Sequence, residues 1–104
     1  MFDPHAKLRD EVLRQVLDGP GEVEPSLRRA AASGSGVSAD LQPLVDKIHK
    51  HAYKVTDQDI AALQSKYSDD RLFEIIVSGA LGASRKRLLA GIQALQAAGE
   101  AEDA

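Results

Sequence analysis

An all-α fold is what this sequence predicts, and three observations carry the expectation. Aromatic residues are only 4% of the 104, with no Trp, so a core has to be built from Leu, Ile, Val and Ala; sheets draw more heavily on aromatic and β-branched side chains. Apolar positions recur three and four apart through five segments, bounded by helix-start residues and breakers. No pair of alternating apolar runs joined by a tight turn signals a β-hairpin. With 43% hydrophobic and 28% charged residues, the balance is that of one globular domain over residues 1–104 rather than of a disordered chain. Only the end, "AAGEAEDA", reads as a loose tail from about residue 99.

The first helix is expected after Asp3-Pro4, an N-cap followed by a proline at the first helical position. Leu8, Val12, Leu13, Val16 and Leu17 form its apolar side, and it stops at "DGPGEVEP". A short second helix covers Pro25 to Ser33 and ends in "GSG". The third is expected from Ser38, with Asp40 in its first turn, Pro43 tolerable in the early turns, and Leu41, Leu44, Val45, Ile48 and Ala52 as its stripe. The fourth opens at "TDQD", where Thr56 and Asp59 make a near capping box, and it buries Ile60 and Leu63. The fifth is capped by Ser68, with Asp69 and Asp70 complementing its dipole, and runs to about Ala98, roughly 45 Å.

That long helix is apolar nearly all round in its first half. Phe73, Val77, Ala80, Leu81, Ser84, Leu88, Ile92 and Leu95 share one stripe; Leu72, Ile76, Gly79, Ala83, Ala90 and Ala94 make a second; Ile75, Gly82 and Leu89 fall near a third direction. A helix of this kind needs cover on every side, and a chain this small has few helices to supply it, so part of the coat is expected from another subunit. Each interior glycine costs roughly 1 kcal/mol against Ala. Gly79, Gly82 and Ala83 are therefore read as close contacts, inside the subunit or between subunits, and are assigned as oligomer contacts, with a local kink as the alternative.

Charge and composition exclude several functions. The net charge is -3, from 16 acidic and 13 basic residues, which leaves no broad footprint for nucleic acid. The short run Arg85, Lys86, Arg87 points in different directions on a helix, so an adaptor role through it is the weakest reading. There is no cysteine, which excludes disulfides, thiolate metal sites and thiol redox chemistry. The start, "MFDPHAKLRD", is polar and no apolar run is long enough to span a membrane, so a cytoplasmic protein without membrane partners is expected.

Few residues suit chemistry. Glu74 is a lone acid in "RLFEIIVSGAL"; burial there would tune it for acid–base work, while a boundary residue paired with Arg71 or reaching solvent is the plainer reading. His49 and His51 flank the apolar stripe of the third helix on opposite sides, a poor metal pair, and one of them would complete a proton-handling couple with Glu74. Tyr53 and Tyr67 sit near helix ends. Ser78 and Ser84 have no base beside them in sequence, and no phosphate loop is present. No metal or cofactor is expected.

The stretch from Val45 to Leu95 resembles the carboxymuconolactone decarboxylase and alkylhydroperoxidase D-like superfamily. The likeness rests on His51, Ala52, Tyr53, Val55, Thr56, Asp57 and Asp59, then on Tyr67, Ser68, Asp70, Phe73 and Glu74, then on Ala80 to Ala83, Arg87, Leu88 and Gly91. The resemblance implies an all-α fold assembling into trimers or hexamers with helices shared between subunits. Peroxidase-active members carry a Cys-x-x-Cys pair, and its absence here rules out thiol peroxidase activity. Glu74 and His51 match family positions and suit acid–base work; His49 and Tyr53 are the candidate ligand-binding neighbours.

Two functions are expected on this basis. One is a cysteine-less member of the superfamily acting as an oligomeric small-ligand binder or scaffold, its ligand a small organic molecule. The other is a cofactor-free decarboxylase or isomerase using Glu74 with His51.

Overall fold

The computed structural model describes residues 5–103, the side chains of residues 100–103 excepted. The described residues are helical, with no strand: α1 (Ala6–Asp18), α2 (Pro25–Ser33), α3 (Gln42–His51), a 3-10 turn (Ala52–Lys54), α4 (Asp57–Ala61) and α5 (Asp69–Asp103). The expected start of the first helix at Asp3-Pro4 lies outside the described residues. At the standard rise, α5 is about 52 Å long, nearly the whole 57 Å extent of the molecule. It continues past Ala98, where the sequence suggested an end, to Asp103.

Local chemistry sets most boundaries. Pro25 opens α2, and Gly34, with φ of +95°, closes it in the left-handed region. The capping box of α4 is complete: Thr56 Oγ1 accepts from the Asp59 amide at 3.3 Å, and Asp59 Oδ2 accepts from the Thr56 amide at 2.9 Å. Ser68 Oγ accepts from the Arg71 amide at 3.2 Å and caps α5. The start of α3 differs from expectation. Residues 38–41 form a turn, in which Ser38 Oγ bonds the Asp40 side chain at 2.6 Å, and the helix proper begins at Gln42. Pro43 favours the first helical turn and thereby sets that start. Ala52 leaves the helix for the 3-10 turn and is exposed.

The core is built from Val23, Ala31, Leu41, Leu44, Val45, Ile48, Leu63, Leu72 and Ile75. It lies between α2, α3, the α4 region and the first half of α5. In α1 only Leu17 is buried; Leu8 and Val12 stay exposed.

α5 buries a different face from the one its large side chains suggest. Leu72, Ile75, Ser78, Gly79, Gly82 and Ala83 are buried, whereas Phe73 is 68% exposed, Leu88 42% and Leu95 60%. The buried face is the small-residue one because α2 crosses it at close range. A Cβ on Gly82 would stand 2.1 Å from the Ala32 carbonyl oxygen, and one on Gly79 would meet Ile48 at 3.4 Å and the Ala31 carbonyl at 3.6 Å. Gly79, Gly82 and Ala83 are therefore contacts within the chain, correcting their assignment to an oligomer interface. There is no need of a kink to account for them.

The two glycines respond differently to a methyl group. Gly82→Ala forces backbone apart and is expected to cost about 2 kcal/mol or more. Gly79→Ala meets only ordinary contacts and is expected to be neutral or stabilising by up to about 1 kcal/mol. Urea unfolding of both variants checks the pair; similar losses would mean that α2 does not cross at Gly82.

Acid sensitivity follows from Asp59. The hydrogen bond from Lys47, then the Thr56 amide, hold its carboxyl below the ordinary value of 3.8. A depressed folded value contributes stability above 3.8 that is lost as pH falls through the folded value. The melting temperature of Asp59→Asn is expected to fall less steeply than that of the natural chain below pH 3.8.

Candidate functional site

The turn between α1 and α2, "GPGEVE", has to pass close to α5, and its backbone groups need partners there. Glu74, half-buried in the second turn of α5, supplies them: its carboxylate accepts from the Glu22 amide through both oxygens at 3.0 Å and from the Val23 amide at 3.1 Å. Arg28, 4% exposed on α2, serves the opposite polarity, donating to the carbonyls of Val16 at 2.7 Å and Gly19 at 2.6 Å. A cation at the last carbonyls of α1 is also favoured by that helix's dipole. Gly21 sits between the two, where a Cβ would stand 2.0 Å from Glu74 Oε1 and 3.6 Å from Arg28 Nη1. Arg71 adds a bond to the Glu22 carbonyl at 3.1 Å and lies 3.9 Å from the Glu24 carboxylate. Glu74 thus holds a loop through charge-assisted bonds, rather than sitting as a desolvated acid or pairing with Arg71.

His49 and His51 lie elsewhere. His49 Nε2 donates to the Ala31 carbonyl at 2.8 Å, and its ring lies 3.4 Å from where a Cβ on Gly34 would be, tying α3 to the end of α2. His51 is exposed, its ring edge-on to Tyr53 at 5.8 Å, and Tyr53 is 81% exposed. The His49 carbonyl accepts from Arg87 at 2.7 Å. Arg87 is thirteen positions after Glu74 on α5, about 20 Å along the helix. The structure brings His51 and Tyr53 together and leaves both remote from Glu74.

Tyr67 is half-buried and donates to Asp40 at 2.9 Å. The bonds from Ser38 and Tyr67 hold the Asp40 carboxyl below its ordinary range. Ser78 Oγ and Arg28 Nε are buried without a hydrogen-bond partner. Among the described residues no three His, Asp or Glu are grouped to hold a metal ion, and no helix is long and apolar enough to cross a membrane.

The three basic residues have a structural use. Arg85 lies 3.4 Å from Asp10 on α1, Lys86 donates to the Ser33 carbonyl at the end of α2, and Arg87 donates to His49 near the end of α3. Consecutive side chains on α5 diverge by about 100°, so each meets a different helix, two of them at C-terminal carbonyls where cations are favoured.

Sequence reasoning missed a concave apolar surface near these residues. A groove of about 330 Å³ runs between α1 and α5, lined by Leu8, Val12, Leu13, Leu81 and Leu88 together with Arg9, Ser84 and Arg85. Its signal was present as two leucine-rich stripes, but which of them the core would absorb was not local information. Arg28 was missed for the same reason. A loop dense in glycine and proline beside an arginine pair was its only trace. Comparison with protein-family models, curated proteins and solved structures finds no match to this chain.

The loop clamp makes a direct prediction. Glu74→Gln replaces an acceptor oxygen by an NH2 that faces amide donors, and is expected to lower unfolding free energy by about 1–3 kcal/mol. Chemical denaturation measures it, with hydrogen exchange at Glu22 and Val23 as the local readout. Unchanged protection at those amides would show that Glu74 does not hold the loop.

Proposed function

We propose that this chain is a binding module, not a catalyst, and that it takes an apolar group into the groove between α1 and α5. The observation that carries the reading is the composition of that groove: five aliphatic side chains, Leu8, Val12, Leu13, Leu81 and Leu88, make up most of its lining. Apolar walls with a few placed polar groups are what small-molecule sites are made of. In this proposal the likeness of Val45–Leu95 to the alkylhydroperoxidase D-like superfamily describes a cysteine-less, oligomeric relative without thiol chemistry. The acid–base enzyme reading has less support, because Glu74 is engaged by backbone amides and His51 is exposed beside Tyr53.

Decanoate is a suitable probe, with an alkyl chain for the aliphatic lining and a carboxylate that keeps it in solution. Methyl NMR shifts on titration are expected at Leu8, Val12, Leu13, Leu81 and Leu88 and not in the core around Ile75. Val12→Glu, at a position already exposed, is expected to weaken binding at least tenfold while leaving the circular dichroism unchanged. Shifts spread over the whole surface, or none, would overturn the reading.

A further inference from the structure

Resting on the groove reading above, we infer that α1 is the lid of that groove. It is anchored at its C-terminal end, and its first three turns swing as one rod over α5 and close on the apolar ligand.

The strong anchors of α1 gather at one end. Leu17 is its buried residue. Around it Arg28 donates to the carbonyls of Val16 and Gly19, and Arg29 Nε donates to the Asp18 carboxylate at 2.7 Å. Both arginines belong to α2, whose backbone lies against α5 at Gly82, so this end is fixed to the body of the molecule. The other end is held differently. From Ala6 to Val16 no side chain is fully buried, and Leu8 and Val12 are exposed. Asp10 and Arg85 meet there at 3.4 Å in an ion pair open to solvent, a kind that contributes little and weakens with salt.

The groove lies beneath this loosely held part. Leu8, Arg9, Val12 and Leu13 line its α1 side, and about 330 Å³ stays open between them and α5. Side chains facing a gap forgo the dispersion contacts that would fix a helix in place, and few buried contacts are the physical mark of a segment that opens locally. The helix keeps its form as it moves. Ala6–Asp18 has no glycine or proline, and Arg14 Nε donates to Glu11 at 3.1 Å on the exposed side. A tilt of about 15° at Leu17 carries Leu8, about 13 Å away along the axis, through about 3.5 Å, which is one carbon–carbon contact distance. Closing on an alkyl chain buries Leu8 and Val12, and that burial holds the lid shut.

Distances between paired spin labels, measured by double electron–electron resonance, test the motion, and the absence of cysteine leaves labels only where they are placed. Lys7→Cys with Ala90→Cys reports the swinging end, and Gln15→Cys with Ala80→Cys the anchored end; all four positions are exposed and outside the groove lining. Without ligand the first pair is expected to show a distance distribution at least twice as wide as the second. Saturating decanoate is expected to narrow the first to the width of the second, with circular dichroism unchanged. Equal widths without ligand, or a first pair that stays wide when decanoate is bound, overturn the lid and leave the groove reading standing. A rise in helicity on binding shows α1 folding rather than swinging, and also overturns the lid. If decanoate produces no methyl shifts while the first pair is still the wider, the groove reading falls and the hinge at Leu17 stands.

Discussion

The closeness with which α2 crosses α5 governs the rest of the molecule. At Gly82 the two backbones are so near that no side chain fits between them. This contact turns the small-residue face of α5 inward and its leucine face outward. It also sets the distances over which other groups work. Lys86, one turn on, reaches the end of α2 at Ser33, and Glu74, two turns back, reaches the loop that leads into α2. A helix pair separated by ordinary side chains would leave both interactions out of range.

Within that frame the polar groups divide the backbone of one loop between them. Arg28 takes carbonyls at the end of α1 and Glu74 takes amides at the entry to α2. Neither needs to touch the other, because each answers one polarity of the same turn. Burying Arg28 is tolerable because it meets oxygen atoms that α1 leaves without intrahelical partners. Arg85, Lys86 and Arg87 extend the arrangement by tying α5 to α1, α2 and α3 in turn.

For function, this arrangement changes the weight of the candidate residues. Of the acid and histidines that stand out in sequence, Glu74 and His49 are engaged in architecture and His51 is exposed at the end of α3. What is left over is surface: an apolar groove beside α1 and exposed leucines on the side of α5 that the core did not use.

The all-α class, the Thr56–Asp59 box, the Ser68 cap, the Pro25 start and the leucine periodicity of α5 were all legible in the sequence by itself. Each rests on residues three to seven positions apart, and such spacings keep their meaning wherever the segment is placed. The start of α3 was read too early because Pro43 outweighed Ser38. Which stripe of α5 would be buried, and what Glu74 would bind about fifty residues away, were decided only by the tertiary structure. The physical reason is that burial is a competition between faces. Area favours the leucines, but the closest approach is available only where side chains are absent, and that advantage exists only once α2 is brought against Gly82.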